Sequence, residues 1–441
     1  MVMMYLVFFM GFVSVWTAGR INADTQAALG MVTQCGLFLM VVIMAVSSGA
    51  TAAVSQSLGA RRLPRAQRYV ATTVAGSLVL GLVLAVVGYA FDEQILRFLL
   101  VPESILPQAL DMWRISLIAL PAQHVYNATG VMFRATRQVK PPLNVAVLVC
   151  LVNMLLCLGL GLGMFGMPDC GYHGILWANI AAQTIGAAVN CALLSRSGYL
   201  NRRALPDMRW LKAGLPYLLR VALPAGIASL VWQSGYLALF VLVASLPYDS
   251  VSALAGLTAG LRVESLLFLP GMAFNMSVAV LVGNCLGAGR PLEAKRLALN
   301  MTWMGTAALS VVAMVIWPFR QELAAILAQD SATQAQIVSY LTYNLLSTPF
   351  SIASTVMGGI MVGAGATQYN LAVYGGCSWF IRLPLGWLLG HHLWQTASGV
   401  FCAMLISQCI QAILMLSVVN WCDWTRFAMR KYDSRAIQKQ Q

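Results

Sequence analysis

Twelve continuous apolar runs, with nearly every charge gathered into the gaps between them, leave this 441-residue chain few folds to adopt. A run of about 20 residues crosses a bilayer as helix. In hydrocarbon the backbone must satisfy its own hydrogen bonds, so only helix bundles and closed barrels remain. Barrel strands alternate apolar and polar residues over about 10 positions, and these runs do not alternate. They cover 1–19, 26–58, 69–91, 105–133, 143–165, 171–194, 214–246, 251–286, 297–319, 334–362, 371–390 and 397–420. Charged residues make up only 9% of the chain and hydrophobic ones 59%, whereas a soluble domain is about 25% charged. The reading is an all-α polytopic membrane protein of about twelve helices. The second and eighth runs are longest, and tilt, bend or protrude from the membrane.

The net charge of +13 has a definite placement. Basic clusters stand at Arg61, Arg62, Arg65 and Arg68; at Arg134, Arg137 and Lys140; at Arg196, Arg202, Arg203, Arg209, Lys212 and Arg220; at Arg290, Lys295 and Arg296; and from Arg426 to Lys439. Acids such as Asp92, Asp169, Asp249 and Asp330 fall between them. Basic groups at every second loop follow the positive-inside rule. They place both termini in the cytoplasm of a bacterial inner membrane and account for the charge without nucleic acid. The ten cysteines include no C-x-x-C pair, and most lie in apolar runs as small hydrophobes. The four histidines show no metal spacing; His173, His391 and His392 read as loop or interface residues. No G-x-x-x-x-G-K-[ST], H-E-x-x-H or G-x-S-x-G occurs, so neither ATP-driven transport nor a catalytic domain is expected, and neither a metal nor a cofactor is called for. The first apolar run lacks the basic n-region of a cleavable signal peptide.

A repeat organises the chain. LGARRLPRAQR at 58–68 returns as LGAGRPLEAKR at 286–296, an offset of 228. The offset also relates Phe91 to Phe319, Pro121 to Pro349, Gly130 to Gly358 and Gly171 to Gly399. Two pseudo-symmetric six-helix lobes in one orientation follow, at 1–195 and 214–420. A basic cytoplasmic linker at 196–213 joins them, and a basic tail covers 421–441. Parallel repeats are a transporter architecture with the substrate site near the midplane between the halves. By the same offset residues 213–228 have no partner ahead of Met1, so the first helix reads as short, with a truncated start expected. The glycine of each LGA segment reads as a left-handed cap. Pro121, Pro224, Pro270, Pro349 and Pro384 lie within spans and bend them.

Ionisable groups inside a membrane are costly and line pathways or pair with one another. Glu264 is the acid deep in a span, in the eighth. Arg382 lies mid-span in the eleventh, and Arg262 is two residues from Glu264. Glu264 is the candidate proton or cation carrier, with Arg382 or Arg262 as its charge partner. Ser14, Gln34, Asn127, Asn153, Asn179, Gln233 and Asn275 are candidates for a polar cavity wall. Trp232 and Tyr236 are candidates for aromatic faces toward a cationic substrate. Bonding between helices is the competing role for the amides, and lipid anchoring for the aromatics.

Several segments, in this order and spacing, make the chain resemble the MATE (multidrug and toxic compound extrusion) family. They are AGRINADTQAALGM (18–31), SSGATAAVSQSLGARR (47–62), GYHGILWANIAAQ (171–183), RVESLLFLPGMAFNMSVAVLVGNCLGAGR (262–290) and WFIRLPL (379–385). The resemblance implies twelve helices in two lobes and export of cationic, amphiphilic compounds in exchange for H+ or Na+. It also exposes departures. Many bacterial members carry an acid where Ser14 stands, five residues before Gly19. They carry Asn and Asp four apart where this chain has Asn153 and Cys157. Sodium-coupled members have acids near Trp232 and Gln233 and near Ser351, and neither is present. The expected function is a monomeric antiporter exporting small organic molecules. A flippase or exporter of a lipid-linked or metabolite substrate is the alternative, and a membrane scaffold or embedded enzyme is the remaining one.

Overall fold

In the computed structural model the described residues are 2–98, 101, 103–201, 207–328 and 330–429, and among them there are helices and no strands. Arg202, Arg203, Arg430, Lys431, Arg435 and Lys439 of the basic linker and tail lie outside these residues. The first compact unit comprises 1–58 and 62–218, the second 59–61 and 219–441.

The first unit is built from α1 (Val2–Ile21), α2 (Ala23–Gly59), α3 (Leu63–Ala90), the short α4 (Asp92–Phe98), α5 (Leu106–Ala135), α6 (Lys140–Leu162) and α7 (Gly171–Arg196). α8 (Met208–Ala244) begins in the first unit and from Leu219 belongs to the second, which continues with α9 (Ser250–Gly287), α10 (Pro291–Ile316), the short α11 (Arg320–Leu327) and α12 (Ser331–Ala364). A composite crossing follows, made of α13 (Gln368–Asn370), π-helical Leu371–Gly375 and Cys377–Arg382, α14 (Leu383–Trp387) and π-helical Leu388–Leu393. The last crossing is α15 (Ala397–Trp421). Among the described residues each unit thus has six long crossings, the twelve anticipated. Ten are long and apolar enough to span a bilayer as single helices. The other two are α5 and the composite crossing.

The repeat is visible in the boundaries. Helices start at 63 and 291, at 92 and 320, and at 140 and 368, each pair at the offset of 228. Prolines set several starts, where a missing N–H costs nothing: Pro64 opens α3, Pro107 α5 and Pro291 α10. Asp330 caps α12 by accepting the Thr333 backbone N–H at 3.0 Å. The LGA segments need a correction. Gly59 and Gly287 are the last helical residues, and the left-handed positions are Arg61 (φ 57°) and Gly289 (φ 76°), two further on. The chain needs the left-handed turn only after the helix has closed, so the cap falls on the variable residue of LGA-x-R.

In the first unit Trp113 is the large buried anchor, and its indole N–H donates to the Gly88 carbonyl at 3.0 Å. α12 is the central post of the second unit, packed on α9, α10 and α15. It crosses α9 closely because small residues let the backbones approach. A Cβ on Gly363 or Gly359 would collide with the Ala279 or Asn275 carbonyl of α9, and one on Gly260 with the Tyr340 ring.

Candidate functional site

The interior of the second unit gathers the embedded charges. Gly260 and Glu264 are four apart on α9 and share one face. The space left by Gly260 admits the Tyr340 ring from α12, which is 1% exposed and packs edge-on against Phe401 of α15 at 5.2 Å. That packing aims the Tyr340 hydroxyl at Glu264, to whose Oε2 it donates a hydrogen bond. A cavity of about 10 Å³ lies beside the carboxylate, bordered also by Asn344, Ser347, Tyr343 and Gln408. That is room for one water.

Arg382 enters from the composite crossing and is completely buried. Its Nε donates to Ser407 Oγ on α15 at 3.0 Å, while Nη1 and Nη2 find no acceptor among the described residues. The guanidinium faces the rings of Trp232 at 5.5 Å and Tyr236 at 5.7 Å, both on α8. Glu264 lies within its electrostatic reach, yet no direct ion pair of 4.0 Å or less joins them. Arg382 ends a π-helical stretch. The wider winding, with Pro384 just beyond, turns side chains off the ordinary helical progression, and such stretches recur at functional sites. Further polar bonds continue inward. Gln411 Nε2 donates to Ser354 Oγ at 3.0 Å, Tyr374 donates to the Ser354 carbonyl at 2.7 Å, and Asn275 Nδ2 donates to the Thr355 carbonyl at 2.6 Å.

The anticipated residues therefore divide. Glu264, Arg382, Trp232 and Tyr236 converge. Arg262 is exposed and makes no ion pair among the described residues, because two residues along a helix turn it away from Glu264; of the two partners anticipated, only Arg382 has the placement. Asn275 ties α9 to α12 instead of standing free. Gln233 is exposed, and Trp379 is 41% exposed with its indole on the Val231 carbonyl at 3.2 Å. Sequence reasoning missed Tyr340, Ser407 and Gln408. The available signal was a tyrosine in an apolar span, with a glycine one turn before the embedded acid.

In the first unit Cys157 of α6 meets Thr17 of α1 at 3.5 Å, with Ser14 close by; the Ser14 hydroxyl itself donates to the Met10 carbonyl. Asn153, one turn before Cys157, is 1% exposed, and both its amide atoms lack partners among the described residues. Asn127 donates to the Gln123 carbonyl, Gln34 is exposed and Asn179 is half-buried. Buried His124 bonds the Leu120 carbonyl through Nδ1; His173 pairs with Asp111 at 2.9 Å; His391 meets Ser245 at 3.1 Å. No cluster of three or more potential metal ligands occurs among the described residues. The site around Glu264 and Arg382 offers a carboxylate that can hold a proton and aromatic faces that can meet a cation, and among the described residues it carries no nucleophile-and-base pair.

The MatE family model matches residues 1–158 and 224–388. The multidrug resistance protein PmpM of Pseudomonas aeruginosa is 28% identical over 394 residues, 87% of this chain and 80% of that protein. A protein of Shewanella oneidensis named FAD transporter is 23% identical over 330 residues, 75% of this chain and 72% of that one. The crystal structure of the Vibrio cholerae MATE transporter VcmN in the bent form superposes with a TM-score of 0.86 at 17% identity, covering 98% of this chain and 95% of that one. The all-α fold with six crossings in each unit, the polar interior and the match along most of the chain agree: this multi-pass membrane protein belongs to the MATE family, whose members are transporters and not enzymes.

Proposed function

We propose that the protein is a secondary active exporter of small organic, cationic or amphiphilic compounds, driven by proton entry through Glu264. It works as a single chain in a bacterial inner membrane with both termini in the cytoplasm. The observation that carries this reading is the cluster of Glu264, Tyr340 and Arg382 inside the second unit. A lone embedded carboxylate with a hydroxyl donor, a water-sized cavity and a nearby fixed cation has two accessible states, one bonded to a proton and one balanced by Arg382. The proton is favoured over Na+ for a physical reason. A hard cation needs several oxygen ligands to replace its water, and one carboxylate beside one guanidinium leaves no net negative charge to offset that dehydration. A single carboxyl oxygen suffices for H+. Trp232 and Tyr236, already in cation–π contact with Arg382, are faces on which an aromatic cation competes.

A second reading has its own support. The unpartnered Nη1 and Nη2 of Arg382 suit a carboxylate or phosphate, and one relative is named for FAD. An anionic endogenous metabolite is then the cargo.

The experiment is efflux from vesicles carrying the protein, under a proton gradient and separately under a sodium gradient. A cationic dye and a flavin nucleotide are compared. Proton-driven dye movement that fails in Glu264→Gln, and in the charge-neutral double variant Glu264→Gln/Arg382→Met, supports the first reading. Flavin movement lost in Arg382→Met supports the second. Full gradient-driven transport by the double variant removes both residues from the mechanism.

A further inference from the structure

A second feature lies in the first unit, away from the embedded charges. α3, α5 and α7 leave a groove of about 680 Å³ between them. It exists because small residues occur in register: Ala71 and Ala75 on α3, Ala122 beside the kinking Pro121 on α5, Ala187 and Ala188 on α7. The groove opens outward, since its wall residues Leu78 and Ile118 are 44% and 58% exposed. Along α3 and α5 its lining is apolar, and on α7 the Thr184 hydroxyl is already bonded to the Ile180 carbonyl at 2.7 Å, which leaves Ser195 and Asn201 as the polar lining toward the basic end.

One end of the groove is basic. Arg68 precedes Ala71, Ala75 and Leu78 by three, seven and ten residues, so it continues their stripe on one face of α3. Arg196 follows the lining residue Ser195 on α7. Both arginines are exposed, and neither side chain has a hydrogen-bond or ion-pair partner among the described residues. Their helix ends are held together by Gln67, whose Nε2 donates to the Gly198 carbonyl at 2.8 Å. The acids Asp92 and Asp111 stand at the opposite ends of α3 and α5. From Arg68 to Leu78 the wall runs about 15 Å, half of a hydrocarbon core of about 30 Å. An acyl chain of one leaflet covers that depth.

We propose that this groove is a binding site for an anionic phospholipid, its headgroup phosphate held by Arg68 and Arg196 and one acyl chain laid along α5 past Pro121. Basic pockets between membrane helices bind such headgroups. The lining here adds what a bare basic rim lacks, a preformed apolar slot whose lining residues Ala71 and Ser195 stand three residues and one residue along the chain from the two arginines. Neither the coupling ion nor the cargo enters the argument, so the site stands whether or not Glu264 drives transport.

The test is native mass spectrometry of the full chain in detergent, titrated with phosphatidylglycerol or with phosphatidylcholine of the same acyl chains. Two arginines at a membrane surface together favour the anionic lipid by about 30-fold. Arg68→Gln/Arg196→Gln, at exposed positions, removes that preference and leaves the two lipids equal. Ala188→Phe fills the slot from an exposed position and weakens phosphatidylglycerol binding with the arginines intact. Equal binding of the two lipids by the unmodified protein overturns the proposal. So does an anionic preference that survives the double substitution, or glycerol phosphate displacing the lipid as well as phosphatidylglycerol does, which would leave the groove no role.

Discussion

Replacing Glu264 by Gln should destabilise the protein, and replacing Arg382 by Met in the same chain should restore most of the loss. Arg382 cannot shed its proton and is completely buried, with its Nε bonded to Ser407 Oγ. Glu264 is the carboxylate within its electrostatic reach. Two charges about 4 Å apart at an effective dielectric of about 20 attract by about 4 kcal/mol, and no ion pair within 4.0 Å joins these two, so their attraction is weaker than that. Removing one partner of a buried pair costs about 3–5 kcal/mol, because the survivor is left uncompensated, whereas replacing both by neutral groups is often close to neutral. Gln keeps the volume of Glu and still accepts from Tyr340, so the loss reports charge and not packing. For a unit of this size each kcal/mol moves the melting temperature by about 2–4 °C, which gives a fall of about 6–20 °C for Glu264→Gln. The double variant should lie within about 5 °C of the unmodified protein by the same scale. Tryptophan fluorescence during thermal unfolding in detergent measures all three, and Trp232 beside Arg382 is a local reporter. A single variant as stable as the unmodified protein would show that the Arg382 charge is balanced elsewhere. A double variant no better than the single one would refute the pairing.

Gly260→Leu drives a side chain into the Tyr340 ring; overpacking costs about 1–3 kcal/mol, so it should lower the melting temperature and slow efflux, whereas Ser277→Ala, at an exposed position on the same helix, should leave both unchanged. Asp330 is held below its ordinary carboxyl value of 3.8 by the backbone N–H and hydroxyl of Thr333. Its contribution to stability is therefore complete above that value and fades as the pH falls through the lower folded one, so Asp330→Ala should melt earlier at neutral pH by a margin that closes in acid. Cys170 and Cys422 are exposed whereas Cys157 and Cys377 are buried, and the first two follow α6 and α15, whose ends lie on opposite sides under the proposed orientation. An impermeant maleimide on intact cells should label Cys170 alone, and labelling of Cys422 without permeabilisation would invert the topology.

The crossings were legible because in lipid an apolar run of sufficient length has one solution, and the repeat was legible because its turns keep small and basic residues at a constant spacing. What stayed hidden depends on contacts between helices. The π-helical winding of Cys377–Arg382 follows from packing in the second unit, and a run of Cys, Ser, Trp, Phe and Ile carries no periodic mark of it. α4 and α11 are too short for a span and fall where the hydropathy ends. Glu264 and Arg382 stood out by charge alone, since any ionisable group in a span does. The choice between Arg262 and Arg382 needed only the helical angle on one side, but the distance across helices on the other. Tyr340 was invisible as a partner because its role comes from the gap at Gly260, a feature of two helices at once.

The same offset that reveals the repeat shows where its halves part. The positions matching Glu264, Tyr340, Arg382 and Tyr236 in the first half are Gly36, Met112, Met154 and Phe8, none of them ionisable. The positions matching Ser14, Asn153 and Cys157 in the second half are Leu242, Ile381 and Leu385, all apolar. Each half keeps a polar group on the scaffold where its counterpart carries an apolar residue. A buried polar group is costly, so a repeat under packing demands alone would have both halves settle on apolar residues at these positions. Each half instead retains one cluster and drops the other. In the first, the amide of Asn153 is left without partners among the described residues. In the second, the guanidinium of Arg382 is left with two open donors beside the one acid that remains. The division leaves Glu264 and Arg382 on helices of the second unit, and on those of the first the neutral Ser14, Asn153 and Cys157.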